Sequence, residues 1–347
     1  MKLRVAVIGL RGIGPFHVQR VSELNCTELL ALCDINHDRL KQKSDEYDVP
    51  HSFTDYRELL ALDALDCVVV ATPHHLHHPI VVDALRAGKH VLCEKPLAIH
   101  ATEANEMVEV AREMNLVLGC HYNQRLSPAI SSLRAAVERG VLGDVYYVRA
   151  RWITRWSGYW FNEETAWRLS KEKSGGGILI GRGSHLADAV WYVLGKPGVK
   201  SIQAFCHEGL VDGSKVDDLA VLNITFTNGC RLSMDCSYVM HLPETGERFE
   251  YEFYGTGAGA VARFAPEPRG VIVGRCEWPD NEWSDLSSQV REAVADKESP
   301  CPVMDDFYLS VLEGRPPVAP GEEAAFITQI IETAYRSAET EQEIHLS

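Results

Sequence analysis

Val5-Ala6-Val7-Ile8-Gly9-Leu10-Arg11-Gly12-Ile13-Gly14 decides the fold. Four apolar residues run into a glycine-rich turn, and a helical pattern follows. Such a stretch reads as a buried strand, a tight turn and a helix N-terminus. In the ideal G-x-G-x-x-G turn, the second glycine lets the main chain approach a pyrophosphate, and the third packs helix against strand. Here Gly9 and Gly14 hold the first and third places, and Arg11 holds the second. Gly12 keeps the loop pliant, while Arg11 offers the phosphates a guanidinium instead of bare backbone. Gly9, Arg11, Gly12, Ile13 and Gly14 are therefore the expected phosphate-binding residues. Alone, the motif is weak, and a plain glycine turn between strand and helix is the other reading.

Working outward, short apolar runs recur at 4–8, 28–33, 67–71, 90–93 and 116–120. They are rich in Val, Leu and Ile, as strands buried on both faces are. Helical patterns lie between them. Residues 79–87 open with Pro79 and stop at Gly88, and 102–114 repeat Ala104, Met107, Val108, Ala111 and Met114 at helical spacing. This alternation predicts a doubly wound parallel α/β sheet, a Rossmann domain over 1–124. The second strand ends at Asp34, 20 residues after Gly14. A carboxylate there accepts hydrogen bonds from ribose hydroxyls and repels a 2′-phosphate, so NAD is expected over NADP. Arg39 lies near enough to serve a phosphate.

Beyond about residue 125 the rhythm changes. Pro128 starts a helix over 129–138, and longer strand-like runs follow at 145–152, 201–206, 219–226, 231–238, 248–255 and 271–276. Several alternate polar with apolar, as half-exposed antiparallel strands do. The expectation is a second, α+β domain over 125–347 with a large, mostly antiparallel sheet. It ends in a helix at 322–338 that can pack back toward the first domain. A second glycine run, Gly255-Thr256-Gly257-Ala258-Gly259, precedes no amphipathic helix and reads as a turn between strands.

Composition narrows the function. A chain of 347 residues suits two domains. Its formal charge of −15 repels phosphate backbones, which argues against nucleic acid and anionic membrane surfaces. No apolar run approaches a membrane span, and MKLRVAVIGLRG is broken by Arg11, so it reads as a strand rather than an export signal. Ten scattered cysteines without a C-x-x-C pair, several in strand-like runs (Cys33, Cys67, Cys93, Cys120), suggest reduced thiols in a cytoplasm.

The segment ATPHHLHHPIVVDALRAGKHVLCEKPLA (71–98) adds a family resemblance. With it go Glu94-Lys95-Pro96, Tyr122-Asn123-Gln124-Arg125, Gly175-Gly176-Gly177 followed by Gly183, His185 and Asp188, and EGRPPVAPGEEA (313–324). In this order, over nearly the whole chain, they resemble the Gfo/Idh/MocA family of glucose-fructose oxidoreductase and inositol dehydrogenase. The resemblance implies a Rossmann domain, then a domain whose open sheet builds homodimers or homotetramers. It also implies Lys95 and His185 as catalytic residues. Thr72, Pro73, His74, His77, Glu94, Lys95 and Arg168 would lie along the cofactor, and Lys95, Asn123, Trp167 and His185 along the substrate.

Chemistry supports these roles independently. Lys95 follows a strand ending at Cys93, so it stands at the carboxyl edge where doubly wound sheets bind ligands. An ammonium there polarises a substrate oxygen and steadies alkoxide charge. Free imidazole titrates near neutrality, so a histidine at 185 is suited to take a hydroxyl proton. One departure stands out: Gly181 occupies the place, four residues before the histidine, where the family usually has Asp. Asp188, Glu163 and Asp217 are candidate replacements. His74, His75, His77 and His78 are too closely spaced to converge on one ion, and no metal is expected. The stretch 150–169 carries Trp152, Trp156, Tyr159, Trp160, Phe161 and Trp167, rings that suit the apolar faces of a sugar or pack a core. The sequence thus points to an NAD(P)-dependent oxidoreductase moving a hydride between nicotinamide and a secondary alcohol of a sugar or cyclic polyol. Alternatives are a non-catalytic dinucleotide sensor and a glycoside-cleaving relative that oxidises its sugar transiently.

Overall fold

A computed structural model describes residues 2–155, 163–211, 213–242, 246–277, 282–288, 290 and 302–346. Trp156, Tyr159, Trp160 and Phe161 lie outside them, as does the side chain of Glu163. The chain forms two compact units, residues 1–123 with 301–328 and residues 124–300 with 329–347.

In the first unit, strands β1 (Leu3–Ile8), β2 (Thr27–Cys33), β3 (His51–Phe53), β4 (Cys67–Val70), β5 (His90–Cys93) and β6 (Leu118–Cys120) form one parallel sheet. Their order is β3-β2-β1-β4-β5-β6, the doubly wound order with its switch point beside β1. β1, β4 and β5 are almost wholly buried, which is why they read as unbroken apolar runs. Their side chains meet Val18 and Val21 of the helix Gly14–Glu23 on one layer of the core, with Met304, Phe307 and Tyr308 of the helix Val303–Glu313. Helices His77–Arg86 and Ala101–Glu113 pack against each other.

The second unit holds nine described strands in the order β14-β13-β12-β11-β7-β10-β9-β8-β15. They are β7 (Val145–Thr154), β8 (Val199–His207), β9 (Leu219–Phe226), β10 (Arg231–Ser237), β11 (Glu247–Gly255), β12 (Gly259–Ala265), β13 (Gly270–Glu277), β14 (Glu282–Asp285) and β15 (Ile344–His345). Only β10 and β7 run parallel; the other pairs are antiparallel. The glycine run at 255–259 is the turn between β11 and β12. One face, including Val148, Ala150, Leu222, Leu232 and Phe253, is buried, and helices Pro128–Glu138 and Ser184–Val193 pack on the sheet. The opposite face carries Arg151, which pairs with Asp235 (3.2 Å) and Glu250 (3.6 Å), and the exposed Phe205, Tyr254 and Ile272. Among the described residues no helix is long and apolar enough to cross a membrane.

Candidate active site

β1 hands over to the glycine turn at the carboxyl edge of the parallel sheet. Gly9 has φ +94°, and a Cβ there would strike the Ala71 carbonyl; one at Gly14 would strike the Gly9 carbonyl. Both positions therefore require glycine. At Gly12 a Cβ would meet nothing within 4 Å, so the turn opens outward. The helix that follows, Gly14–Glu23, has no side-chain cap and no acid in its first turn. Its leading N–H groups and positive dipole end suit an anion. Ile13, at the cap, is partly exposed.

Asp34 follows β2 and is buried. Its Oδ2 accepts the Leu10 N–H (2.8 Å) and its Oδ1 the Asn36 N–H (2.8 Å). The Arg39 guanidinium turns onto the same carboxylate at 3.2 Å. Arg39 thus supports Asp34 in the structure, beside the phosphate role open to it in the sequence. Thr72 follows β4, and its Oγ1 is buried without a hydrogen-bond partner. Such an orphan hydroxyl at a ligand edge fits a polar group of a bound dinucleotide. The glycine cradle, uncapped helix and Thr72 together accommodate NAD.

His77 is fully buried, with Nδ1 on the Pro96 carbonyl (2.8 Å) and Nε2 on the Thr72 carbonyl (2.9 Å). Burial depresses its basicity, against the pull of those two carbonyls. It staples the loops after β4 and β5 together. His74 sits beside it, ring centroids 5.7 Å apart, and Pro73 caps the short helical turn His74–Leu76. Lys95 is half-buried, and the Lys95–Pro96 peptide is cis. Its neighbour Glu94 is buried, taking His17 Nε2 and His121 Nδ1 on one oxygen, each at 2.7 Å. Asn123 is exposed at the end of this unit.

The second unit carries the other predicted residues. Leu179–Gly183 is a π-helical turn running into the helix Ser184–Val193, a device common at functional sites. His185 stands half-buried in the first turn, its ring 6.0 Å from Trp152. Trp152 stacks on Phe249 at 4.2 Å and donates to Glu247 (2.7 Å). Buried Arg182 lies over the Trp152 ring (4.7 Å) and the Tyr238 ring (5.0 Å), and burial lowers its basicity. Arg168 and Trp167 stack on each other at 4.6 Å.

Of the acids considered in place of the residue at 181, two are already engaged. Asp188 holds the fully buried Arg125 guanidinium through both oxygens (2.5 and 3.0 Å). Asp217 accepts the Gly177 and Leu179 N–H groups (2.6 and 2.8 Å) and the Tyr335 hydroxyl (2.8 Å). The space a side chain at 181 would enter is taken by the Tyr238 hydroxyl, 2.6 Å from a Cβ built there. Burial pushes that phenol up to about 12, despite the nearby Arg182 and Arg168. Sequence reasoning missed His17, His121, Arg182 and Tyr238. The strand register is the signal for His121: β5 and β6 pair Cys93 with Cys120, so the next residues, Glu94 and His121, leave the sheet side by side.

A doubly wound sheet whose ligand edge is furnished in this way defines a dinucleotide-binding protein. Comparison with known proteins agrees: residues 3–122 match the model described as oxidoreductase family, NAD-binding Rossmann fold, and residues 130–261 match the GFO/IDH/MocA C-terminal domain. D-glucoside 3-dehydrogenase of Escherichia coli K12 is 30% identical over 99% of this chain and 97% of its own length. Myo-inositol 2-dehydrogenase of Thermotoga maritima is 25% identical over 99% and 98%. A solved levoglucosan dehydrogenase in complex with NADH superposes with a TM-score of 0.86, at 21% identity and full coverage of both chains, a likeness of fold. The chain belongs to the Gfo/Idh/MocA family of NAD-binding oxidoreductases.

Proposed function

We propose that the protein oxidises a secondary alcohol of a sugar, sugar derivative or cyclic polyol with NAD, reversibly. The observation that carries this reading is the convergence of Gly9, Asp34, Thr72 and Lys95 just past the carboxyl ends of β1, β2, β4 and β5. Relatives named for glucosides and inositol support the substrate class. Bound NAD would supply the hydride acceptor for the carbinol carbon. Lys95 donates hydrogen bonds to the reacting oxygen and steadies the charge that develops on it. His185 takes the hydroxyl proton during oxidation and returns it in the reverse direction. Trp152 offers an aromatic face beside His185, and Trp167 and Asn123 complete the assigned substrate contacts. The glycine turn and helix N-terminus hold the pyrophosphate, and Asp34 holds the adenosine ribose. The open face of the second sheet, with Phe205, Tyr254 and Ile272 exposed, joins copies into a homodimer or homotetramer.

The experiment is NADH formation with methyl glucoside, myo-inositol and levoglucosan as probes. The wild type turns over at least one of them, and Lys95→Ala abolishes turnover while NAD affinity stays within about twofold. Normal turnover in Lys95→Ala overturns the assignment of that lysine. One observation favours a second reading, a non-catalytic NAD sensor: Gly181 leaves no carboxylate one turn before His185, and Asp188 and Asp217 are engaged elsewhere. Tight NAD binding with no hydride transfer across a wide panel of sugars and polyols would select it.

A further inference from the structure

Glu94 is the acid next to Lys95, yet it faces inward. It is 8% exposed, and the imidazoles that meet it are 0% (His17) and 4% exposed (His121). A carboxylate this buried is costly unless donors surround it. Oε1 receives His17 Nε2 and His121 Nδ1, both at 2.7 Å, and Oε2 receives the main-chain N–H of Lys95 at 3.2 Å. Burial by itself pushes this carboxyl up, but the charge and N–H groups of His121 and His17 hold it well below the usual carboxylate range. The two rings lie edge to face, centroids 4.8 Å apart. The far side of His17 is closed by the Met304 sulfur, 3.0 Å from Nδ1.

Two imidazoles and a carboxylate also make a metal-ligand set, and their donor atoms all lie within 4.8 Å of one another. The distances decide against it. Donors around a tetrahedral zinc stand about 3.4 Å apart, given metal–ligand bonds near 2.1 Å. Both N···O separations here are charge-assisted hydrogen-bond lengths, and both fall on the same oxygen.

We propose that His17 and His121 are positioning residues of the reaction: they pin the Glu94 carboxylate, and through the Glu94–Lys95 contact they fix the main chain that carries the Lys95 amine. This rests on the reading of Lys95 as the group that holds the reacting oxygen. A lysine side chain is long and rotamer-rich, so its aim depends on a rigid base. His17 supplies the clamp from the first helix, and His121 supplies it from the exit of β6, so three segments meet at one oxygen.

The test compares His121→Leu, which removes the donor, with His121→Asn, whose amide N–H reproduces Nδ1. The first readout needs no substrate: hydrogen exchange at the Lys95 amide. It is protected in the wild type and in His121→Asn, and exchanges at least tenfold faster in His121→Leu. The second is turnover on whichever of methyl glucoside, myo-inositol and levoglucosan the wild type oxidises. There kcat falls about 100-fold in His121→Leu, KM and NAD affinity hold, and His121→Asn restores most of kcat. Unchanged exchange in His121→Leu, or Asn behaving no better than Leu, overturns the proposal. So does one tightly held equivalent of zinc, added alone to the wild type and lost in His121→Leu. A wild type inert on all three probes would count against the proposed reaction, and the exchange result would still decide the pinning.

Discussion

Asp34 and His17 show how much depends on single side chains. Asp34 is held by two main-chain N–H groups and Arg39, so its carboxylate is already aimed before any ribose arrives. Asp34→Ala should weaken NAD by roughly 1.5–3 kcal/mol, the worth of hydrogen bonds to a charged group, and weaken NADP far less. Equal weakening in titrations with the two dinucleotides would remove the ribose contact. His17 bears on pH. Burial, the largest influence, lowers its pKa below 6.5, although the Glu94 contact pulls the other way. The folded state thus binds fewer protons than the unfolded chain, and stability falls as pH drops through the unfolded value of 6.5 toward the folded one. Glu94, also depressed, adds stability that is full above 4.5 and is lost as pH falls through its folded pKa. Melting temperature should therefore decline from pH 7.5 to pH 5.5, and His17→Gln, which keeps a donor toward Glu94, should flatten that decline. An identical slope in the variant would contradict the assignment.

At the scale of elements, the strands read most clearly were those buried on both faces. β4 (CVVV) and β5 (HVLC) are apolar runs because helices cover the parallel sheet, and a run of that kind announces itself. β3 (HSF), with two exposed residues, and the two-residue β15 bury too little to leave a pattern. The start of the helix Val303–Glu313 is hard to read from sequence, because its partners in the core, such as Val69 and Leu92, lie more than 200 residues away. The same limit hid the clamp on Glu94. His17 is one residue of a helix, and only the fold brings it to a carboxylate 77 positions on. The glycine turn, by contrast, states its own requirement. Gly14→Ala drives a methyl into the Gly9 carbonyl, and should cost about 1–3 kcal/mol in urea unfolding and weaken NAD binding. A variant as stable as the wild type would show that the turn yields freely.

For the molecule as a whole, the second unit's sheet leaves one face carrying exposed apolar side chains. Its open face mixes paired charges, Arg151 with Asp235 and Glu250, with exposed Phe205, Tyr254 and Ile272. That mixture suits a specific, partly polar interface between copies. Ile272→Glu, at a position 53% exposed, should leave each copy folded and shift the sedimentation coefficient toward monomer. An unchanged oligomer would place the contact elsewhere. On the proposed reaction, the Lys95 amine and the nicotinamide would meet one carbon–oxygen unit of the substrate, with His185 serving as its proton acceptor. A crystal structure with NADH and a reacting sugar tests it directly. The expected result has the Lys95 Nζ and a His185 ring nitrogen within hydrogen-bond distance of the sugar oxygen whose carbon faces the nicotinamide C4. An amine turned away from the ring, or a ring position filled by protein side chains, would contradict it.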